Sequence, residues 1–196
     1  MSVAVAIAVF LGALTWSLME YVFHRFLGHD KRTQPNFFSV EHLRHHSVGN
    51  YFAPAWKKAV LAVIVFALFS AITVPLFGAA VGMSYVGSFV VTYLAYEWLH
   101  KREHTHEGIG PYARWARRHH FVHHFVNPKM NHGVTSPVWD IVFGTYLAPE
   151  VIPVPEKLQM EWLCEEGAHE VKEHLKRDYC LKLTSATQAK LQQQAA

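Results

Sequence analysis

Three long apolar stretches separate the polar segments of this chain. Residues 3–23 carry a single charged residue, Glu20, and a helix of this length rises about 31 Å, enough to cross a hydrocarbon core. Residues 59–96 carry no charge at all, a window that is too long for one soluble helix and suits two crossings. Residues 78–80 form a short Gly-Ala-Ala turn that divides the window. The pattern therefore predicts transmembrane helices at about 3–23, 59–77 and 81–99.

The composition agrees with a membrane protein. Hydrophobic residues make up 51% of the chain and charged residues 17%, well below the roughly 25% of soluble domains. The net charge of +3 is modest, and no nucleic-acid partner is predicted. Basic residues occur between the first and second apolar stretches and after the third, so the positive-inside rule places both segments in the cytoplasm and the N-terminus outside. The first stretch lacks the features of a cleaved signal peptide and is expected to stay in the mature protein. Cys164 and Cys180 are too few for a disulfide framework and are interpreted as reduced thiols.

Ten of the 15 histidines form four spaced groups. All of them fall on the predicted cytoplasmic side. The first two groups lie in HRFLGH and HLRHH, and the last two in HKREH and HFVHH. The ten residues are His24, His29, His42, His45, His46, His100, His104, His120, His123 and His124.

The spacing of these histidines predicts metal binding. Residues at i, i+3 and i+4 share one helical face, so each HxxHH box directs three imidazoles one way. His24 and His29 are five apart and would converge only if their helix ended between them, for which Gly28 is suited. One such box could be a solvated helix face, but ten histidines at one membrane face are not explained that way. Ten nitrogen ligands exceed the capacity of one ion, so two are predicted. Imidazole binds iron, zinc and copper, and ligand type alone does not choose among them.

Several other residues are interpreted relative to this cluster. Metal-bound imidazoles usually donate their second N–H to a carboxylate or carbonyl, so Glu41 and Glu97 are candidate acceptors. Glu20, one turn before His24, is a third candidate because carboxylates inside membrane segments are often functional. His106, His119 and His132 lie near the groups without an assigned role. His169 and His174 lie outside the cluster and are expected to be surface residues.

The remaining segments are polar. Residues 111–125 alternate basic and aromatic side chains, which suits either a helix in the membrane interface or a helix docked on its own domain. After Pro149 the composition changes, and residues 156–178 are predicted to form an amphipathic soluble helix. We therefore expect a membrane-embedded histidine-box domain at residues 1–150 and a polar cytoplasmic helix and tail at residues 151–196.

The ordered boxes identify a family. MEYVFHRFLGH, EHLRHH, HKREH and RHHFVHHF, followed by NPKMNHGVTSPVWDIVFGTY, closely resemble the sterol desaturase / fatty acid hydroxylase superfamily, and the opening box is most similar to the fatty acid 2-hydroxylase branch. The resemblance covers about residues 19–147 and implies that the ten histidines are the metal ligands. It implies an all-α integral membrane protein with three to four transmembrane helices and a cytoplasmic helical cap holding the dimetal centre. His132 departs from the pattern, since many relatives have an aromatic residue there.

The expected function is that of a membrane-bound di-iron oxygenase. It would hydroxylate a C–H bond of a fatty acyl or sterol-type lipid with O2, two iron ions and electrons from a donor such as ferredoxin or cytochrome b5; zinc could replace iron after overexpression. Carotenoid hydroxylation, lipid desaturation and a non-redox zinc membrane hydrolase are the alternatives. The expected location is the inner membrane of a bacterium or the endoplasmic reticulum of a eukaryote. Lys101, Arg102, Arg114, Arg117 and Arg118 form a possible docking surface for the donor, and Phe121, Trp139 and Phe143 a possible substrate slot.

Overall fold

The computed structural model describes residues 2–194, so Met1 and the last two residues of the predicted C-terminal tail lie outside it. Within residues 2–194, three stretches of helix are long and apolar enough to cross a membrane: Val3–His29, Ala55–Phe77 and Ala79–Thr105. They correspond to the three predicted crossings, and the prediction of a mostly helical membrane protein is confirmed. The first stretch consists of helix α1 (Val3–Val22) and a π-helical segment (Phe23–His29). The other two are α3 (Ala55–Phe77) and α4 (Ala79–Thr105), joined through Gly78 alone rather than through a three-residue turn.

Helices α1 and α4 pack closely because a glycine lies at their crossing. A Cβ atom at Gly12 would lie 2.2 Å from the carbonyl oxygen of Tyr85, so the two backbones approach more closely there than any larger residue permits. The Ser88 hydroxyl donates a hydrogen bond to the carbonyl oxygen of Val9 across this contact, at 2.6 Å. Small residues and interhelical hydrogen bonds are the usual means of helix association in lipid, where apolar side chains gain little from leaving the solvent.

An aromatic cluster continues this contact toward the histidines. The Trp16 ring packs edge-on against Phe89, with ring centroids 5.5 Å apart, and against Tyr93 at 4.8 Å and Tyr96 at 5.4 Å. Helix α3 lies on the outside and contributes no buried residue. The C-terminal ends of α1 and α4 are thereby held beside each other, and both lead directly into histidine boxes.

Two further helices complete the cap that carries the other boxes. Helix α2 (Phe37–Ser47) begins with a capping box in which the Asn36 side chain accepts from the backbone N–H groups of Phe38 and Ser39, the arrangement that satisfies the free N–H groups of a first turn. Helix α5 (Gly110–Phe125) is extensively buried, from Ala116 and Arg117 to His123. Residues 116–123 therefore dock on the rest of the domain, as one of the two expectations for residues 111–125 holds.

The prediction of a helix at residues 156–178 is wrong. This segment contains only short 3-10 turns, at Glu156–Leu158 and Glu173–Leu175, between two strands that pair in parallel, β1 (Ile152–Pro155) and β2 (Tyr179–Lys182). Gly167 has φ of 74°, a left-handed conformation that interrupts a helix.

Packing against α5 accounts for this difference. Apolar side chains of β1 and of the segment after it, including Ile152, Val154 and Leu163, form one buried core with Phe121 and Val122 of α5. Helix α6 (Val138–Val142) connects α5 to this region, and the exposed α7 (Ser185–Gln194) follows β2. Burial of these side chains outweighs the weak helical pattern of the local sequence.

Candidate metal centre

The structure brings all ten predicted histidines together in two groups of five. Within each group, one ring nitrogen from every member lies within 4.8 Å of those of the others. The first histidine group consists of His24, His29, His42, His46 and His123, and the second of His45, His100, His104, His120 and His124. The rings of His46 and His124 stack with centroids 4.0 Å apart, so the groups adjoin.

Each HxxHH box contributes to both groups. The two histidines that are four residues apart share a group, and the middle one, three residues after the first, belongs to the other. His42 and His46 thus face the first group and His45 the second, whereas His120 and His124 face the second and His123 the first. Each HxxHH box therefore connects the two groups. The spacing alone places its three histidines on one helical face and does not show that they divide between two groups.

The π-helical segment explains how His24 and His29 converge. We predicted that the helix would end near Gly28, and this is wrong, because the chain continues as a π-helix from Phe23 to His29. Hydrogen bonds in a π-helix run from residue i to i+5, so residues five apart lie about one turn from each other on the same face. Their rings consequently lie 5.4 Å apart, in the same histidine group.

The distances between ring nitrogens suit ligands of a common cation. In the first group the Nε2 atom of His29 lies 2.7 Å from that of His42 and 2.8 Å from that of His123. In the second, the Nε2 atoms of His45 and His100 are 3.0 Å apart. Metal–imidazole bonds are about 2.0–2.1 Å long, so two ligands at angles between 90° and the tetrahedral value lie about 2.8–3.4 Å apart, within about 0.1 Å of the distances seen here. The donor set therefore fits two cations, one in each group.

Backbone carbonyls fix the orientation of three rings. The Nδ1 atoms of His24, His45 and His123 lie 2.5, 2.7 and 2.8 Å from the carbonyl oxygens of His132, Tyr51 and Met130. A carbonyl only accepts hydrogen bonds, so each Nδ1 carries the proton and each Nε2 presents its lone pair to the group. The buried Nε2 of His24 has no hydrogen-bond partner among the described residues, as expected of an atom reserved for a metal.

The cap keeps these imidazoles neutral. Burial lowers the pKa of His45 to about 4 and that of His46 to about 2. Burial likewise holds the pKa values of His42, His120, His123 and His124 well below the ordinary value, and neighbouring histidines add to the effect. Only the neutral imidazole binds a metal ion, so the ligating form persists well into the acidic range.

The carboxylates near the boxes do not act as predicted. Among the hydrogen bonds of residues 2–194, Glu41 accepts from the Tyr51 hydroxyl and from Lys57, and Glu97 pairs with Lys58. Neither accepts from an imidazole, so both predictions of direct acceptors are wrong. Glu20 also does not meet His24 directly, because its carboxylate accepts from the backbone of the segment after His132.

The remaining histidines occupy other environments. His119 is buried, and its Nε2 lies 3.1 Å from the carboxylate of Asp140. The ring of His132 lies 5.5 Å from that of His24 but belongs to neither group. His106, His169 and His174 are exposed, which confirms the surface assignment of the last two.

Two of the arginines that were expected to form the docking surface instead make hydrogen bonds within the protein. Arg117 is buried and donates to the carbonyl oxygens of Arg102, His106 and Ala113. Arg118 donates to Asp178 at 2.5 Å and to the carbonyl oxygen of Pro149 at 2.7 Å. These two residues hold the cap together, so the predicted docking surface reduces to Lys101, Arg102 and Arg114.

Phe121 does not line the predicted substrate slot, because it is fully buried against Trp162 and Tyr179. The part of that slot beside Trp139 and Phe143 stays a prediction. A groove of about 470 Å³ instead opens between the loop before α3 and one face of α4. Phe52 lines the groove, and its ring lies 5.1 Å from that of His45 and 5.7 Å from that of His100. Phe52 therefore borders both the groove and the second histidine group.

Three membrane-length helices, two of which contribute histidines to a pair of five-imidazole groups, define a membrane protein with a candidate dimetal centre. The family model described as fatty acid hydroxylase matches residues 9–145, and the chain belongs to this family. The predicted resemblance is thereby confirmed.

Named relatives agree with this assignment. The chain is 32% identical to the ceramide very long chain fatty acid hydroxylase SCS7 of Saccharomyces cerevisiae, over 71% of this chain and 38% of that protein. It is 32% identical to the human fatty acid 2-hydroxylase, over 71% of this chain and 39% of that protein. The solved structure of full-length scs7p, in which only the hydroxylase domain is visible, is similar with a TM-score of 0.57 and 29% identity, covering 74% of this chain and 58% of that one. The chain thus matches about two fifths of the length of these two curated relatives.

Proposed function

We propose that this protein is a membrane-bound di-iron oxygenase that hydroxylates a C–H bond of a fatty acyl lipid. The observation that carries the proposal is the pair of five-imidazole groups at the ends of apolar helices, in a chain of the fatty acid hydroxylase family. Two relatives are named as hydroxylases of fatty acids or of the fatty acids of ceramide. These names favour hydroxylation of an acyl chain over the carotenoid, desaturase and zinc hydrolase alternatives.

The ten histidines would hold two iron ions, five to each. Bound iron would supply the redox chemistry that activates O2 and attacks an unactivated C–H bond. The chain's own contribution is to present neutral, oriented imidazoles and to exclude water. His120 and His123 are fully buried and His24 and His45 nearly so, and a site closed to water suppresses side reactions of the oxidant.

The substrate chain would approach along the groove beside Phe52. Tyr93, Leu94 and Trp98 line it with apolar surface, and Lys58 and Lys101 lie among the same lining residues. A lipid chain therefore finds an apolar track that leads from the membrane surface to the second histidine group. The groove opens on the side of α4 that carries Leu94 and Trp98, both more than half exposed, so it is accessible from the lipid.

The basic residues support a cytoplasmic position for the histidines. Arg25, Lys57 and Lys101 lie at the same ends of the apolar helices as the boxes, and the positive-inside rule assigns those ends to the cytoplasm. Electrons would come from a donor such as ferredoxin or cytochrome b5, docking near Lys101, Arg102 and Arg114. The membrane would be the inner membrane of a bacterium or the endoplasmic reticulum of a eukaryote.

Reconstitution tests the function. Iron-loaded protein in lipid vesicles, supplied with a reduced donor and O2, should convert an acyl lipid into a product one oxygen atom heavier, as judged by mass spectrometry. His45→Ala should give no product, and neither should the wild type without O2 or without the donor. Turnover by the zinc-loaded protein under strict anaerobiosis would contradict the oxygenase assignment and favour a hydrolase.

A pair of tryptophan substitutions tests the groove. Leu94→Trp should fill it and raise KM for the lipid, with metal content unchanged. Leu68→Trp is the matched control, because Leu68 is a similarly exposed leucine on α3 outside the groove lining. Equal kinetics for the two variants would contradict this route.

A further inference from the structure

One loop supplies the carbonyl acceptors for two members of the first histidine group. The carbonyl oxygens of Met130 and His132 accept from Nδ1 of His123 and His24 respectively. These two histidines come from α5 and from the segment after α1, so the loop is their shared support. Support of this kind sets both the tautomer and the direction of a ligating ring.

Two buried carboxylates hold this loop from opposite sides. Asp140 accepts from the backbone N–H groups of His132 and Gly133, each at 2.8 Å, and also from the Thr145 hydroxyl and His119. Glu20 accepts from the backbone N–H groups of Val134 and Thr135 and from the Thr135 hydroxyl. Four consecutive N–H groups are thus bound by two side chains. Asp140 is fully buried and Glu20 is 4% exposed.

The loop backbone itself is adapted to this position. Asn131 has φ of 56°, a left-handed conformation that asparagine tolerates better than most residues. Its side chain donates to the carbonyl oxygens of His119 and Leu147 and accepts from the Leu147 N–H group. A Cβ atom at Gly133 would lie 2.2 Å from the carbonyl oxygen of Ser136, so a side chain there would displace the loop.

Glu20, at the end of α1, and His24, in the π-helical segment that continues it, both bind the loop. They are four residues apart and therefore lie on the same face. Glu20 accepts from the N–H groups after Gly133, and His24 donates to the carbonyl of His132. Glu20 is accordingly linked to a histidine ligand, but through the backbone of a loop more than a hundred residues away in sequence.

The second histidine group depends on a different segment. Nδ1 of His45 donates to the carbonyl oxygen of Tyr51. The Tyr51 hydroxyl donates to Glu41, and the Arg44 guanidinium lies 4.1 Å from the centroid of its ring. None of these contacts involves Glu20, Asp140 or the loop at residues 130–135.

We propose that Glu20 and Asp140 are positioning residues for the first metal ion only, acting through the loop at residues 130–135. The proposal rests on the proposed two-metal function, and it predicts that the affinities of the two sites can be changed independently. Loss of groups that orient metal ligands typically lowers affinity roughly 10–100-fold. The Asp140 carboxylate accepts four hydrogen bonds, and Asp140→Asn replaces one of its two oxygens with an NH2 group that cannot accept. Glu20→Leu removes both carboxylate oxygens and hence every hydrogen-bond acceptor of that side chain.

Glu20→Gln is the matched conservative variant. Its amide oxygen can still accept from both N–H groups, and its NH2 group can donate to the Thr135 hydroxyl. Hydrogen bonding rather than charge is the proposed role, so Glu20→Gln should retain both metal ions where Glu20→Leu does not.

Metal content under increasing chelator concentration tests the proposal on the full chain in detergent. The wild type, loaded with Co²⁺, should release two ions per chain. Asp140→Asn and Glu20→Leu should release one ion at roughly 10–100-fold lower chelator concentration, while the other behaves as in the wild type. The ion that is retained also shows that the variant is folded.

Reference variants identify the affected site. His29→Ala removes a member of the first group and His100→Ala a member of the second. Adding Asp140→Asn to His29→Ala should weaken metal binding no further, because both changes act on the first site. Adding Asp140→Asn to His100→Ala should weaken the binding of both ions. Hydrogen exchange of the metal-free variants should show faster exchange at the N–H groups of residues 132–135.

Five outcomes are decisive. Selective weakening of the first ion, with rescue by Glu20→Gln, supports the proposal. Equal weakening of both ions, unchanged affinity in Asp140→Asn, or unchanged exchange at residues 132–135 overturns it and leaves the two-metal centre intact. A wild type that binds no metal overturns the proposed function and the positioning role together.

Discussion

Replacement of Gly12 by alanine is expected to weaken the packing of α1 on α4. The new Cβ atom would lie 2.2 Å from the carbonyl oxygen of Tyr85, whereas an ordinary contact begins at 3.4 Å. The helices would have to separate by about 1.2 Å, which would stretch the 2.6 Å hydrogen bond from Ser88 to Val9 beyond a useful length. Overpacking of this kind costs about 1–3 kcal/mol.

Gly87→Ala is the matched control for this substitution. Gly87 lies on α4, and a Cβ atom there meets nothing within 4 Å, so alanine should be neutral or slightly stabilising through its better helix propensity. Equilibrium unfolding of both variants in the same detergent gives the difference in the free energy of unfolding. A Gly12→Ala variant as stable as Gly87→Ala would refute the close approach of the two helices.

Three further predictions concern the cap. His45→Ala should lower the metal content and abolish activity, whereas the exposed His174→Ala should leave both near wild type, as measured by metal analysis and turnover. Arg118→Ala should destabilise the C-terminal segment by removing its bonds to Asp178 and Pro149, and faster proteolysis after β1 would reveal it. The metal-free protein should lose stability as the pH falls from about 6.5 toward 4. Over this range the imidazoles bind protons in the unfolded chain, whereas buried imidazoles such as His45, with its pKa of about 4, stay neutral in the folded state. A flat profile of thermal stability against pH over this range would contradict the burial of neutral imidazoles.

The sequence predicted the features that depend on side-chain type and spacing. Windows with one charged residue or none located the three long helices, because charge is costly in lipid wherever the helix lies. The four boxes identified the ten histidines, because solvation and packing do not gather so many imidazoles at one end of the membrane helices. That these ten residues bind metal stays a prediction, although their geometry fits two cations.

The features that were missed depend on backbone geometry and tertiary packing. The π-helix at Phe23–His29 and the division of each HxxHH box between two groups follow from how the elements converge. The partners of three imidazoles are carbonyl oxygens of His132, Tyr51 and Met130, and a carbonyl leaves no mark in the sequence because every residue has one. For this reason the sequence wrongly predicts Glu41 and Glu97 as the acceptors of the imidazole N–H groups.

The prediction of a helix in the C-terminal segment failed for a related reason. Met160, Leu163, Val171 and Leu175 are spaced loosely enough to suggest an amphipathic helix, yet they all enter the core formed with Phe121 of α5. Within residues 156–178, Gly167 alone signalled the interruption. Local patterns are weak where a short segment is organised by the surface on which it packs.

The origin of the oxygen atom in the product tests the central claim most directly. The iron-loaded protein, in vesicles with a reduced donor, should be supplied once with oxygen-18 gas in ordinary water and once with ordinary O2 in oxygen-18 water. An oxygenase built on the two histidine groups should place the label in the lipid hydroxyl group only in the first case. Label that enters the product only from water would contradict the account.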